Sequence, residues 1–277
     1  MSVPGASRNS FYFILLILFA ASGCAALIYE VVWYQLLQLV IGSTSVSMGI
    51  LLATYMGGLF IGSLWLPRLQ WRQHPLRVYA GLEAGIALFS LLVLVTLPLL
   101  NRVYVAAAGD GLGGMLLRGF LAACCMLPPT ILMGASLPAI VRWIEGTPEG
   151  VAWWGLLYSG NTLGAVVGCL LAGFYLLRNF NMATATWVAV AINLAVAAVS
   201  WILAPRMRPE EAAETTYLSD TQTATPNQNW VIYLTIGISG ATALGAEVIL
   251  IRFRSQLPPA LPRARPVRNT ARMMANT

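Results

Sequence analysis

The segment that decides the fold runs from Phe11 to Ile41 and reads FYFILLILFAASGCAALIYEVVWYQLLQLVI. Glu30 is its one charged side chain, and all other positions are apolar, small or uncharged. A bilayer core needs about 20 apolar residues in helical form, and this segment of roughly 31 residues would be about 46 Å long. Although Arg8 precedes it, the run is too long for a signal-peptide core. We therefore expect a retained membrane helix that tilts, bends or protrudes.

The same criterion of length finds six further apolar stretches, which makes about seven spans in all. They cover residues 46–66, 77–99, 115–143, 151–177, 182–204 and 230–252. The predicted fold class is therefore all-α, a polytopic transmembrane helix bundle. We divide the chain into a six-helix transmembrane domain (1–204), a polar cytoplasmic linker (205–229), a seventh helix (230–252) and a disordered Arg/Pro-rich tail (253–277).

The composition indicates that lipid is the main surroundings of this chain. Hydrophobic residues make up 58% of the 277 and charged residues only 9%, far below the share of roughly a quarter in soluble domains. The net charge of +6 comes from arginines in loops and in the tail, which favours lipid headgroups over nucleic acid as the partner. Cys24, Cys124, Cys125 and Cys169 lie in apolar runs and His74 stands alone, so we expect no metal and no cofactor.

Arginines near the helix ends predict the orientation, because they resist translocation. A cytoplasmic N-terminus puts most of them in inner loops: Arg8, Arg68, Arg72, Arg77, Arg142, Arg206 and Arg208. Apart from the tail, Arg102, Arg118 and Arg178 then lie outside. The N-terminus is therefore predicted to be cytoplasmic, although the Arg-rich tail then falls on the outer side, against the rule.

Glycines at intervals of four residues predict close helix packing. Gly160, Gly164 and Gly168 form one smooth face of the fifth span, and Gly58 with Gly62 repeats the spacing in the second. Small residues at this spacing let two helix backbones approach each other in a membrane. The alternative interpretation is a substrate path lined by glycine.

The chain also contains an internal repeat. Ser22-Gly23, Ala26-Leu27 and Glu30-Val31 recur at one constant offset as Ser239-Gly240, Ala243-Leu244 and Glu247-Val248. The seventh span therefore reads as the first helix of a second copy. Six helices, a linker and a repeat of the first helix is the plan of transporters built from two parallel halves. The similarity ends after about residue 253.

Several short motifs stand in an order known from one family. They are Ser22-Gly23, Tyr29-Glu30-Val31-Val32-Trp33, Gly42-Ser43-Thr44, Tyr55-Met56-Gly57-Gly58-Leu59, Pro128-Pro129-Thr130, Met133-Gly134-Ala135-Ser136-Leu137-Pro138 and Asn161-Thr162-Leu163-Gly164-Ala165. Over roughly residues 12–252 the chain resembles the membrane region of bacterial fused proteins, one part of which is similar to the major facilitator superfamily and the other to spermidine synthase. The resemblance implies the N-terminal six-helix half of that superfamily plus the first helix of a second repeat, in a bacterial inner membrane.

In that family a soluble aminopropyltransferase domain follows the membrane helices and binds decarboxylated S-adenosylmethionine at a Gly-rich loop. The Gly cluster at residues 109–114 lies between two spans, without the strand and helix of a nucleotide site, so we interpret it as a connection. The resemblance therefore implies a truncated member without the catalytic domain, and we expect this chain itself not to be an enzyme.

Charged and amide side chains within the spans are the candidate functional residues. Glu30 and Glu247 should face the bundle interior and either pair or take up a proton, because a carboxylate in lipid costs several kcal/mol. Together they could form a cation site; the alternative is a structural role through hydrogen bonds to Asn161, Asn193 or tyrosines. Asn161 and Asn193 rank second as site residues. Glu83 lies closer to a span end, where we expect its side chain to reach water.

These residues leave three functions open. The first is a membrane module of a spermidine-synthase-like fused protein, which anchors the enzyme or handles its polyamine. The second is a transporter-like protein for a small cation such as a polyamine, with Glu30 as the counter-charge. The third is a structural membrane partner of another membrane chain.

Overall fold

A computed structural model of the protein describes residues 5–42, 44–65, 74–107, 112–144 and 150–206, together with Ile238. Within these ranges the chain is helical almost throughout and contains no strand. The six long helices are α1 (Gly5–Ile41), α2 (Thr44–Trp65), α3 (Pro75–Ala107), α4 (Leu112–Ile144), α5 (Gly150–Leu170) and α6 (Met182–Leu203).

Each of these six helices forms all or most of a stretch long and apolar enough to cross a membrane. The stretches are Phe11–Ile41, Ser45–Trp65, Pro75–Leu99, Leu116–Ile140, Trp153–Asn179 and Met182–Leu203. The predicted all-α class and the first six predicted spans are therefore confirmed. The seventh predicted span, the linker and the tail lie outside the described residues.

The connections between these helices are tight where the sequence supplies suitable residues. Gly42 follows α1 with a φ of 79°, in the left-handed region that glycine enters without a Cβ penalty, and its N–H donates to Gln38 O at 2.9 Å. Asn181 caps α6, because its Oδ1 accepts from Thr184 N at 2.8 Å and from Thr184 Oγ1 at 3.0 Å. Both ends use side chains or turns to satisfy backbone groups that a helix leaves unpaired.

The helical chain continues beyond Leu170, where α5 as defined above ends, but the type of helix changes. Leu171–Leu176 form a π-helical segment, and Leu177–Asn179 add a last α-helical turn. The N–H of Leu177 accordingly donates to Ala172 O, five residues back. Segments of this kind are rare and occur mostly as single turns within α-helices, frequently at functional sites.

The helices pair in a regular order. Helix α1 packs along α5 and α6, α3 packs along α4 and α6, and α2 packs along α4. If α1, α2 and α3 are relabelled α4, α5 and α6, respectively, and the reverse, the same five pairs result. The bundle therefore consists of two sets of three helices with equivalent neighbours.

The interior of the bundle is apolar, and so is much of its outer surface. Tyr29 and Trp33 of α1 lie at the centre of the larger buried cluster, where their rings stack at a centroid distance of 5.7 Å. On the outside, Phe60, Phe120 and Phe174 are 63%, 66% and 72% exposed. Soluble proteins rarely present large apolar patches to water, so this outer surface is suited to contact with a lipid bilayer.

Candidate functional site

The predicted glycine face of α5 lies directly against α1. A Cβ built on Gly164 would overlap the Ala20 carbonyl oxygen, and one on Gly168 would overlap that of Cys24. Gly160 likewise faces Leu16. The contacts advance in the same direction along both helices, so α1 and α5 run parallel with their backbones in close approach.

A second glycine seam joins α2 to α4. A Cβ on Gly62 would overlap the Ile131 carbonyl oxygen, and one on Gly134 would overlap the Leu59 carbonyl oxygen. Gly58 meets the side chain of Thr130. Helices α2 and α4 also run parallel. This seam corresponds to the α1–α5 seam, because α2 and α4 of one pair take the places of α5 and α1 in the other.

Asn161 sits within the α1–α5 seam. A Cβ on Gly23 would overlap both the side-chain and main-chain oxygens of Asn161, so only glycine fits on α1 at this point. The Asn161 side chain is partly buried there. Asn161, which the sequence suggested as a hydrogen-bonding residue, therefore lies on the same seam as the glycines.

Glu30 lies on the same face of α1 as Gly23, because seven residues make two helical turns. It is partly buried, and it acts electrostatically on the buried Tyr55 of α2. Glu30 thus occupies the side of α1 that looks toward α2 and α5. It stands 19 positions after Phe11 and 11 before Ile41, well inside the span.

Glu83 occupies a different environment, between α1 and α3. It is fully buried, with 0% of its surface exposed, and its Oε1 accepts a hydrogen bond from Ser22 Oγ at 2.7 Å. The expectation that this side chain reaches water at the end of its span is wrong. Glu83 is eight residues inside α3, about 12 Å along the axis, and α1 covers it.

Hydroxyl groups surround the Glu83 carboxyl. The Tyr79 hydroxyl lies beside both Glu83 and Ser22, without completing a hydrogen bond of good geometry. The Tyr29 hydroxyl lies near Ser90 and within electrostatic reach of Glu83. We did not predict this cluster from the sequence, although the spacing of 79, 83 and 90 on one face of α3 is a signal that could have indicated it.

The remaining sequence candidates lie elsewhere. Asn193 is 1% exposed on α6, and its Oδ1 finds no hydrogen-bond donor in the part of the chain that the structure describes. Arg118 donates from Nη1 to Val40 O at 3.3 Å, at the C-terminal end of α1, where a cation is favourable. Glu247 lies outside the described residues. The structure therefore gives Glu30 and Glu83 separate sites and does not bring Asn161 and Asn193 together.

Adjacent residues of α1 contribute to different sites, one at Glu83 and the other at Glu30. Ser22 donates to Glu83 while its neighbour Gly23 lies against Asn161. Tyr29 faces Ser90 while its neighbour Glu30 faces Tyr55. Helix α1 is thus the element that the fully buried carboxyl site and the partly exposed carboxylate site share.

Among the described residues, no group of three or more His, Cys, Asp or Glu side chains is placed to hold a metal ion. Comparison of the chain with protein-family models, curated proteins and solved structures finds no match. The fold and the site therefore define a class only: a polytopic helical protein that has, within the described residues, six membrane-compatible helices and two carboxyl groups inside them.

Proposed function

We propose that this chain is the membrane module of a spermidine-synthase-like fused protein, and that the module handles a small organic cation such as a polyamine. The observation that carries the proposal is Glu30, a carboxylate well inside the longest span that remains partly exposed. Ionisable residues in a membrane are costly and usually mark a ligand or ion pathway. The order of the sequence motifs supports the family assignment.

The helix pairing supports a relationship to the major facilitator superfamily. Each half of those transporters contains two sets of three helices as inverted repeats. Sets α1–α3 and α4–α6 have equivalent neighbours here, and consecutive spans of a polytopic protein alternate in direction. Because α1 carries Glu30 well inside its span, α1 is the helix of these sets that we expect to line a path for the ligand.

An amine site at Glu30 is chemically consistent with its surroundings. A carboxylate and a tyrosine hydroxyl offer acceptors to an ammonium group, and an ammonium can donate three hydrogen bonds. Asn161 of α5 lies against the same face of α1, two helical turns away at Gly23, and its amide oxygen is a further acceptor. A ligand with several amines separated by methylene groups could contact both positions.

Binding of labelled spermidine to the full chain in proteoliposomes tests the proposal. Glu30→Gln keeps the shape and removes the charge, so we expect affinity to fall about 10- to 100-fold, since a hydrogen bond to a charged group contributes about 1.5–3 kcal/mol. Glu210→Gln, in the linker, is the matched control and should bind like the wild type. Absence of saturable binding by the wild type, or equal binding by Glu30→Gln, would contradict amine handling and leave anchoring as the function.

The second candidate is a transporter in its own right, which the equivalent pairing of the two helix sets favours. Accumulation of spermidine inside the vesicles distinguishes it from binding alone. Saturable uptake that Glu30→Gln abolishes would support transport. Binding without accumulation would support a module that presents the amine to an enzyme.

We further propose that the membrane is the bacterial inner membrane and that the N-terminus is cytoplasmic.

A further inference from the structure

Glu83 is a buried carboxyl group whose charge is not compensated. Its side chain is 0% exposed, and Oε2 accepts no hydrogen bond from the described residues. An ionised carboxylate in an apolar interior is strongly unfavourable unless it is paired, and such groups become neutral instead. An ionised Glu83 would therefore need a neighbouring group that offsets its charge.

None of the groups that act on Glu83 among the described residues is a cation. They are the hydroxyls of Ser22 and Tyr29 on α1 and of Tyr79 on α3 itself. Of these, only the two tyrosines are titratable, and both are neutral when protonated. Arg77, the nearest arginine on α3 in sequence, is exposed and lies over the Trp201 ring at 5.6 Å.

Among the described residues, α4 and α6, which also pack along α3, bring no charged side chain into the buried interior. The buried polar residues of α4 are Thr130 and Ser136, and both hydroxyls donate to carbonyl groups of their own helix. Those of α6 are Thr186, Asn193 and Ser200. None of these side chains titrates or carries a charge near neutral pH.

We propose that Glu83 is a proton-binding site, in which a proton on Oε2 closes a ring of three hydrogen bonds with Tyr79 and Ser22. Ser22 Oγ donates to Oε1, as the 2.7 Å contact shows. The added proton lets Oε2 donate to the Tyr79 oxygen, and the Tyr79 hydroxyl donates to Ser22 Oγ, which it already lies beside. Each of the three groups then donates once and accepts once, so both hydroxyls of the ring and both carboxyl oxygens have a partner.

A proton suits this position better than a larger cation. The side chains around Glu83 belong to a packed apolar cluster that includes Phe19, Tyr79, Leu82 and Val196. A metal ion such as Ca²⁺ takes six to eight oxygen ligands, whereas the Glu83 carboxyl and the hydroxyls of Ser22 and Tyr79 together supply only four. A proton needs no additional volume.

Loss of this proton would change the contact between α1 and α3. The ionised carboxylate can only accept, so Ser22 and Tyr79 must both turn their hydrogens toward it and the ring opens. Ser22 is adjacent to Gly23, which holds α1 against α5 at Asn161. Protonation of Glu83 is therefore a chemical event on the helix that also carries Glu30, and the proton site itself does not depend on amine handling.

Infrared spectroscopy of the full chain in lipid nanodiscs at neutral pH tests the proposal. The wild type should show the carbonyl band of a protonated carboxyl group, and Glu83→Gln should lose it. Glu30→Gln is the matched control and should retain the band. Ser22→Ala and Tyr79→Phe should each shift its frequency, because each removes one hydrogen bond from the carboxyl group.

The proposal is overturned if Glu83→Gln removes a carboxylate band instead, since that would show that Glu83 is ionised. If Glu83→Gln does not fold, the other two variants decide: an unshifted band in both Ser22→Ala and Tyr79→Phe overturns the ring. Spermidine binding is measured on the same samples. If the wild type shows the protonated-carboxyl band but does not bind spermidine, only amine handling is rejected. If it binds spermidine but lacks the band, only the proton site is rejected.

Discussion

Replacing Gly164 by alanine tests whether the α1–α5 seam holds the bundle together. The added Cβ would lie 2.6 Å from the carbonyl carbon of Ala20 and 2.9 Å from its Cα, besides overlapping its oxygen. Backbone atoms cannot rotate away, so the two helices must separate by at least about 1 Å, and a gap of that size already forfeits about a quarter to a half of each dispersion contact.

The expected destabilisation by Gly164→Ala follows from this separation. Overpacking of a close-packed interface costs about 1–3 kcal/mol. A loss near 2 kcal/mol should lower Tm by about 4–8 °C for a domain of this size. Thermal unfolding in detergent micelles, followed by circular dichroism, measures the shift.

Gly155 supplies the matched control on the same helix. A Cβ there meets nothing within 4 Å, and alanine is the better helix former, so Gly155→Ala should leave Tm unchanged or raise it slightly. Equal Tm values for Gly164→Ala and Gly155→Ala would refute the close approach of α1 and α5. A large loss in both would mean that glycine matters on α5 for a reason other than this seam.

Two further predictions concern the ends of helices. Asn181→Ala removes the cap that accepts from Thr184, so we expect a loss of about 1 kcal/mol and faster amide hydrogen exchange in the first turn of α6; unchanged exchange would contradict the cap. Arg77→Ala removes the cation over the Trp201 ring, which should cost about 0.5–1 kcal/mol at this exposed site. A double-mutant cycle with Trp201→Leu measures that coupling, and additive effects would show that the pair does not interact.

The bounds of the membrane-crossing stretches were predictable, because the bilayer imposes a length, but the helices can extend further, as α3 does from the predicted end at 99 to Ala107. The first predicted span, 11–41, coincides with the apolar part of α1, and the sixth, 182–204, exceeds α6 by one residue. The glycine spacing likewise indicated which face of α5 approaches another backbone. It did not indicate that the neighbour is α1, because an interval of four residues describes one helix and not its partner.

The environment of Glu83 was not predictable from one sequence. Its hydrogen bond to Ser22 joins residues 61 positions apart, and only the packing of α1 on α3 brings them together. Distance from a span end suggested contact with water, but a neighbouring helix can cover a side chain at any depth. The π-helical segment Leu171–Leu176 also had no signal, since its residues are ordinary for an apolar α-helix.

The internal repeat gains a physical meaning from these contacts. The residues of α1 that recur in the seventh predicted span include Ser22, Gly23 and Glu30, and each has a specific role: a donor to a buried carboxyl, a close approach to Asn161, and a charge within the span. Ala26-Leu27 recur as well, whereas Ala25, Ile28 and Tyr29, which are fully buried in α1, are replaced by other residues in the second copy. The repeat therefore preserves Ser-Gly and Glu, whose contacts are specific, more strictly than the buried positions beside them.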